Sequence, residues 1–161
     1  MKHIITILVE NEFGVLTRIT GLFSARGYNI ESLNVAPTTD ESMSRMTIVT
    51  YGEENVIVQI RKQLQKLIPV IKVENLTEHA HMEREMIVIK VQANENSRAE
   101  VLRMADVFRA RVVDVSESSY SLELTGKSNK VSAFLRMLTP HGVIEMTRTG
   151  SVGMKRGSEG F

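Results

Sequence analysis

The chain repeats one pattern of strands and helices, and that repetition limits its fold more than any other feature. Residues 3–9, HIITILV, are β-branched and aliphatic, as a buried strand requires. After a loop at 10–14, Val15, Leu16, Ile19, Leu22 and Phe23 recur with the one-sided spacing of an amphipathic helix over 15–26, and Gly27 stops it. Residues 29–37 read as a strand, 38–44 as a polar turn, and 45–51 as a second strand alternating through Met46 and Ile48. Helical spacing returns at 53–67 through Val56, Ile60 and Leu64, Pro69 ends it, and 70–76 supplies a last strand. The second half repeats this order: strand 85–93, helix 97–109, strands 111–115 and 119–125, helix 127–138 and strand 142–147.

Two βαββαβ units in tandem predict an α+β protein. Each unit should form an antiparallel sheet with both helices on one face, the ferredoxin-like arrangement. The expected domains are 1–76 and 85–149, joined by a linker at 77–84 (TEHAHMER) that is polar and lacks an apolar period. Residues 150–161, rich in glycine and charge, read as a flexible tail. Each unit is small and leaves one sheet face bare, so a homodimer or higher assembly is expected.

Composition removes several function classes. Residues 1–80 carry eight Lys/Arg against nine Asp/Glu, and 81–161 carry twelve against ten. Neither half has the basic excess that binding a phosphate backbone demands, which argues against nucleic acid. The aromatics form no stacking run of the RNA-recognition type. With no cysteine, disulfides, thiolate nucleophiles and cysteine-based metal sites drop out together, a composition that fits a reducing cytoplasm. The apolar run at 4–9 is too short for a signal core or a membrane span.

The chemistry-bearing residues are sparse. His79 and His81 lie in the expected linker without a third or fourth ligand, so solvated histidines are the simpler account, and His3 and His141 are isolated. No serine sits in a nucleophile elbow, the carboxylates are scattered, and no glycine-rich phosphate cradle follows the first strand. One segment remains, Glu10-Asn11-Glu12-Phe13-Gly14-Val15-Leu16, joining the first strand to the first helix. A helix start presents free amides to a carboxylate, Gly14 permits close approach, and the Asn11 amide can donate or accept. A turn glycine beside an Asn turn accounts for the same residues without any ligand.

The run N-x-x-G-V-L-x-R-I-x-G-L-F, from Asn11 to Phe23, resembles the opening of an ACT domain, the amino-acid-binding regulatory module. S-A-R-G-Y-N-I-E-S-L at 24–33, S-R-M-T-I at 44–48, Q-L-x-K-L at 63–67 and E-R-E-M at 83–86 extend the likeness to the small, regulatory subunits of acetolactate synthase. That resemblance implies a non-catalytic cytoplasmic homodimer, its first unit an ACT domain. Its partner would be a large catalytic subunit, whose activity it would raise. It implies feedback inhibition by a branched-chain amino acid, with valine the leading candidate. It also implies that thiamine diphosphate, a divalent metal and any FAD belong to the catalytic subunit. The effector would sit between two ACT domains, touching Asn11, Gly14, Val15 and Leu16 of one and Asn29 and Ile30 of the other. A free-standing amino-acid sensor is the alternative. A hydrolase of acylphosphatase type is disfavoured, because the first loop lacks an arginine-bearing phosphate cradle.

Overall fold

The computed structural model describes residues 1–158, 160 and 161. Strand β1 (Lys2–Glu10) turns Ile5, Ile7 and Val9 to one face, where helix α1 (Val15–Ala25) lays down Val15, Ile19 and Phe23. Strands β2 (Ser32–Pro37) and β3 (Met43–Tyr51) follow as a hairpin, with Met46 and Ile48 joining that face. Helix α2 (Glu54–Leu64) buries Ile57, Ile60 and Leu64 beside α1, and β4 (Val70–Asn75) adds Val73. The sheet order is β2-β3-β1-β4, every pair antiparallel.

The second unit repeats the plan. Its elements are β5 (His81–Gln92), α3 (Arg98–Phe108), β6 (Arg111–Val115), β7 (Ser119–Gly126), α4 (Ser128–Leu138) and β8 (Val143–Arg148), with sheet order β6-β7-β5-β8. Ile87, Ile89 and Val91 of β5 take the places that Ile5, Ile7 and Val9 hold in β1, and Phe134 of α4 fills the centre of this second core. The likeness reaches the irregularities. The β1–β4 pairing slips between Leu8 and Val9, and the β5–β8 pairing slips between the matching residues Lys90 and Val91.

Three expectations change. The segment 29–31 is not strand, because the Asn29 carbonyl accepts the Thr50 hydroxyl (2.7 Å), and the β2–β3 ladder begins only at Ser32. The expected linker is largely structured. Leu76–Glu78 form a single 3₁₀ turn whose Thr77 amide donates to Asn75 Oδ1, β5 starts at His81, and the compact units divide between Met82 and Glu83. Residues 150–161 belong to the first unit and include strand β9 (Val152–Lys155), which pairs with β5.

Two of the glycines read as looseness in that tail, Gly150 and Gly153, are points of close approach instead. A Cβ on Gly153 would lie 2.8 Å from Leu76 Cδ1 and 3.3 Å from the Met82 carbonyl oxygen. The outer face of the first sheet is therefore covered, with Ile4, Val49 and Leu76 forming a small second core beneath. In the second unit the face opposite the helices mixes Met86, Val88 and Lys90 with Ser121, Glu123 and Thr125.

Candidate functional site at the first helix start

Gly14 stands at the N-cap of α1 with φ +83°, a left-handed conformation that glycine adopts without strain. A Cβ built there would meet nothing within 4 Å, so the glycine is required by backbone geometry while the space in front of it is open. No side chain caps α1, and the leading amides of a helix have no partner within it. Those amides and the positive end of the helix dipole suit a carboxylate.

The neighbouring loop is held from one side. Asn11 donates its backbone amide to the Ser42 carbonyl (2.7 Å) and Nδ2 to the Glu41 carbonyl (2.9 Å), which leaves Oδ1 as an acceptor. The β2–β3 turn that supplies both carbonyls is closed by Asp40, whose Oδ1 accepts from the Ser42 hydroxyl (2.6 Å) and amide (3.0 Å). These two hydrogen bonds hold the Asp40 carboxyl below its ordinary range.

The six candidate residues divide into three kinds. Val15 is 4% exposed and packs in the core with Ile19 and Phe23, so it can offer a ligand only its backbone amide. Leu16 is 41% exposed beside it, and Phe13, in the same loop but not among the six candidates, stands fully exposed. Asn29 and Ile30 lie past the other end of α1, with the Asn29 side chain exposed and Ile30 packed partly against the core. An 11-residue helix is about 16 Å long. One copy of the chain therefore does not bring Asn29 to Gly14, and a site made of both sets needs two copies.

The second unit lacks this opening. Its equivalent loop has no glycine, and Asn94 Oδ1 takes the amides of Asn96 and Ser97 (3.1 Å each). Arg98 folds back from the first residue of α3, donating Nε to the Ala93 carbonyl (3.0 Å) and Nη2 to the Glu117 carbonyl. Its own side chains occupy the ground that stays open before α1. Among the described residues no group of three His, Cys, Asp or Glu is gathered as a metal site would need, and no helix is long and apolar enough to cross a membrane.

A tandem pair of βαββαβ units, the first with an open glycine turn before its first helix, is the architecture of ACT-type regulatory proteins. A family model described as "AHAS small subunit-like ACT domain" matches residues 5–72, and one described as "Small subunit of acetolactate synthase" matches 84–157. The isozyme 3 acetolactate synthase small subunit of Escherichia coli is 48% identical over 160 residues, 99% of this chain and 98% of that protein. The probable acetolactate synthase small subunit of Archaeoglobus fulgidus is 49% identical, covering 99% of each chain. The crystal structure of the acetolactate synthase small subunit from Thermotoga maritima superposes with a TM-score of 0.89 at 36% identity, over 99% of each chain. The chain belongs to the acetolactate synthase small-subunit family.

Proposed function

We propose that this chain is the non-catalytic regulatory subunit of an acetolactate synthase, raising the activity of a large catalytic subunit and making it sensitive to a branched-chain amino acid, valine foremost. The observation that carries the reading is the likeness to acetolactate synthase small subunits across both units, at 48% identity. On this reading thiamine diphosphate, a divalent metal and any flavin reside on the catalytic subunit. The complex works in the cytoplasm, in the pathway to valine, leucine and isoleucine.

The effector lies between two copies of the first unit. The amides at the start of α1 take its carboxylate, with Gly14 leaving room for approach. The Asn11 side-chain oxygen of the same copy and Asn29 of the other take its ammonium group. Leu16 and Ile30 meet its aliphatic side chain, as an apolar pocket with a few placed polar groups would. Val15 contributes through its backbone. The open turn before α1, against the filled one before α3, supports placing the effector in the first unit.

The test is reconstitution with the catalytic subunit, followed by calorimetric titration of the isolated chain with valine, leucine, isoleucine and alanine. Stimulation of acetolactate formation, and saturable valine binding that also inhibits the complex, are expected. A chain that neither stimulates its partner nor binds any of the four amino acids overturns the proposal.

A further inference from the structure

Residues 150–156 cross the outer face of the first sheet and touch every strand of it. At one edge Gly150, with φ +75°, lies so close to β2 that an added Cβ would fall 2.5 Å from the Ser32 Cβ, and Asn34 Nδ2 donates to the Gly150 carbonyl (3.5 Å). In the middle, Arg45 of β3 donates Nη2 to the Gly153 carbonyl (3.1 Å) and Nε to Thr6 Oγ1 of β1 (3.1 Å). Gly153 sits over Ile4 and Leu76. At the other edge Lys155 Nζ reaches Glu74 Oε1 of β4 (2.8 Å), and the Arg156 amide donates to the Ala80 carbonyl (2.9 Å). The Phe161 ring then lies over two cations, 4.6 Å from the Arg45 guanidinium carbon and 5.0 Å from Lys72 Nζ.

Among the described residues β2 is the edge strand of the first sheet, paired only with β3, and Glu31 alone separates it from Asn29 and Ile30. Its outer face is gripped at Ser32 and Asn34 by the segment that follows the second unit in the chain.

We propose that residues 150–156 are a strap that fixes the position of β2, and that Gly150, Gly153, Lys155, Glu74 and Arg45 are positioning residues for effector binding. This rests on the reading that the effector meets the segment leading into β2. None of the five touches the effector; they set where Asn29 and Ile30 stand when it arrives. A strap anchored on β4 and β3 holds β2 from outside while α1 and α2 hold the sheet from inside. Loosening it lets the edge strand drift and spends part of the effector's binding energy on reordering it.

Hydrogen–deuterium exchange of the full chain without effector, compared across variants, tests the strap. Lys155→Glu sets two carboxylates together, Gly153→Leu drives a side chain into Leu76, and Lys155→Arg keeps the pair with Glu74. In the first two, amides of 152–155 and of 32–36 should exchange roughly fivefold faster, the scale of one partly buried ion pair. Lys155→Arg should match the wild type. Valine affinity by calorimetry should fall by a similar factor in the first two and hold in the third. Freed 152–155 amides with unchanged β2 amides overturn the proposal. So does continued protection of 152–155 in both variants, or a Lys155→Arg protein that behaves like Lys155→Glu. Faster β2 exchange with unaltered valine affinity overturns the link to the effector. If the wild type binds no valine, the effector reading fails by itself, and the exchange comparison still judges the strap.

Discussion

Gly14 is the residue at which effector binding and stimulation of the catalytic subunit are expected to come apart. Its φ of +83° costs a residue with a Cβ about 1–2 kcal/mol, and Asp is among the side chains that bear this best. Gly14→Asp should therefore fold. Its carboxylate would take the amides at the start of α1 and repel the carboxylate of an arriving amino acid. Effector affinity is expected to fall about a hundredfold, or ~2–3 kcal/mol, while stimulation of the catalytic subunit persists. Inhibition of the reconstituted Gly14→Asp complex at the wild-type valine concentration would place the site elsewhere. Asn11 separates the structural account of this loop from the functional one. Asn11→Ala removes the bond to the Glu41 carbonyl and should cost about 1 kcal/mol of stability by denaturant titration. If Asn11 also receives the ammonium group, valine binding weakens by more than that loss explains. If binding is unaltered, Asn11 only braces the turn.

The ion pairs on the outer sheet face make an element-level prediction about acid. Burial raises the pKa of Glu74, but its hydrogen bonds with the Lys155 and Lys72 ammonium groups outweigh burial and hold it below the usual value of 4.5. A depressed carboxyl stabilises the fold fully above the unfolded value, and that stabilisation is lost as pH falls through the folded value. Glu74→Gln should thus melt below the wild type at neutral pH, by the equivalent of about 1–2 kcal/mol, and the two melting curves should converge below pH 4.5. A gap that persists undiminished in acid would show that charge is not what Glu74 contributes. These same contacts mark the limit of what the sequence made legible. Both βαββαβ units could be read, because periods of 2 and 3.6 are local and Ile5, Ile7, Val9 and Ile19, Phe23 display them openly. The helix-start loop was readable too, since Gly14 and Asn11 stand next to the elements they serve. The strap was not. Gly150 and Gly153 carry no periodicity, and their reason for being glycine lies at Ser32 and Leu76, more than 70 residues away in the chain. Nor does the sequence separate Val15 from Leu16, since both are apolar and only the rotation of α1 puts one side chain inside and the other out.

At the scale of the whole molecule, the two units share a plan but not an opening. The isolated chain, supplied with pyruvate, thiamine diphosphate and magnesium, is expected to form no acetolactate; activity in material free of the catalytic subunit would refute the regulatory reading. A chain ended after Met82 would keep the four-stranded sheet and both its helices but uncover Ile4, Val49 and Leu76 and leave Glu74 without Lys155. It is expected to be less stable than the first unit of the full chain, by several kcal/mol, and prone to associate through the bared face. A fragment of unchanged stability and unchanged solubility would mean the outer face needs no cover.

The return of the chain to its first unit also has a consequence in time. A ribosome releases residues in order, and domains begin folding as they emerge, at about 5–20 residues per second. β1 to β4 can pair and close on α1 and α2 early, but β9 is delivered only after all of the second unit has been made. For several seconds of synthesis the nascent protein therefore holds an ordered sheet whose outer face, with Ile4, Val49 and Leu76 in it, stands open, waiting on a segment not yet translated. Newly made chains are most vulnerable to mispairing in that interval, and their first unit matures last although it was written first.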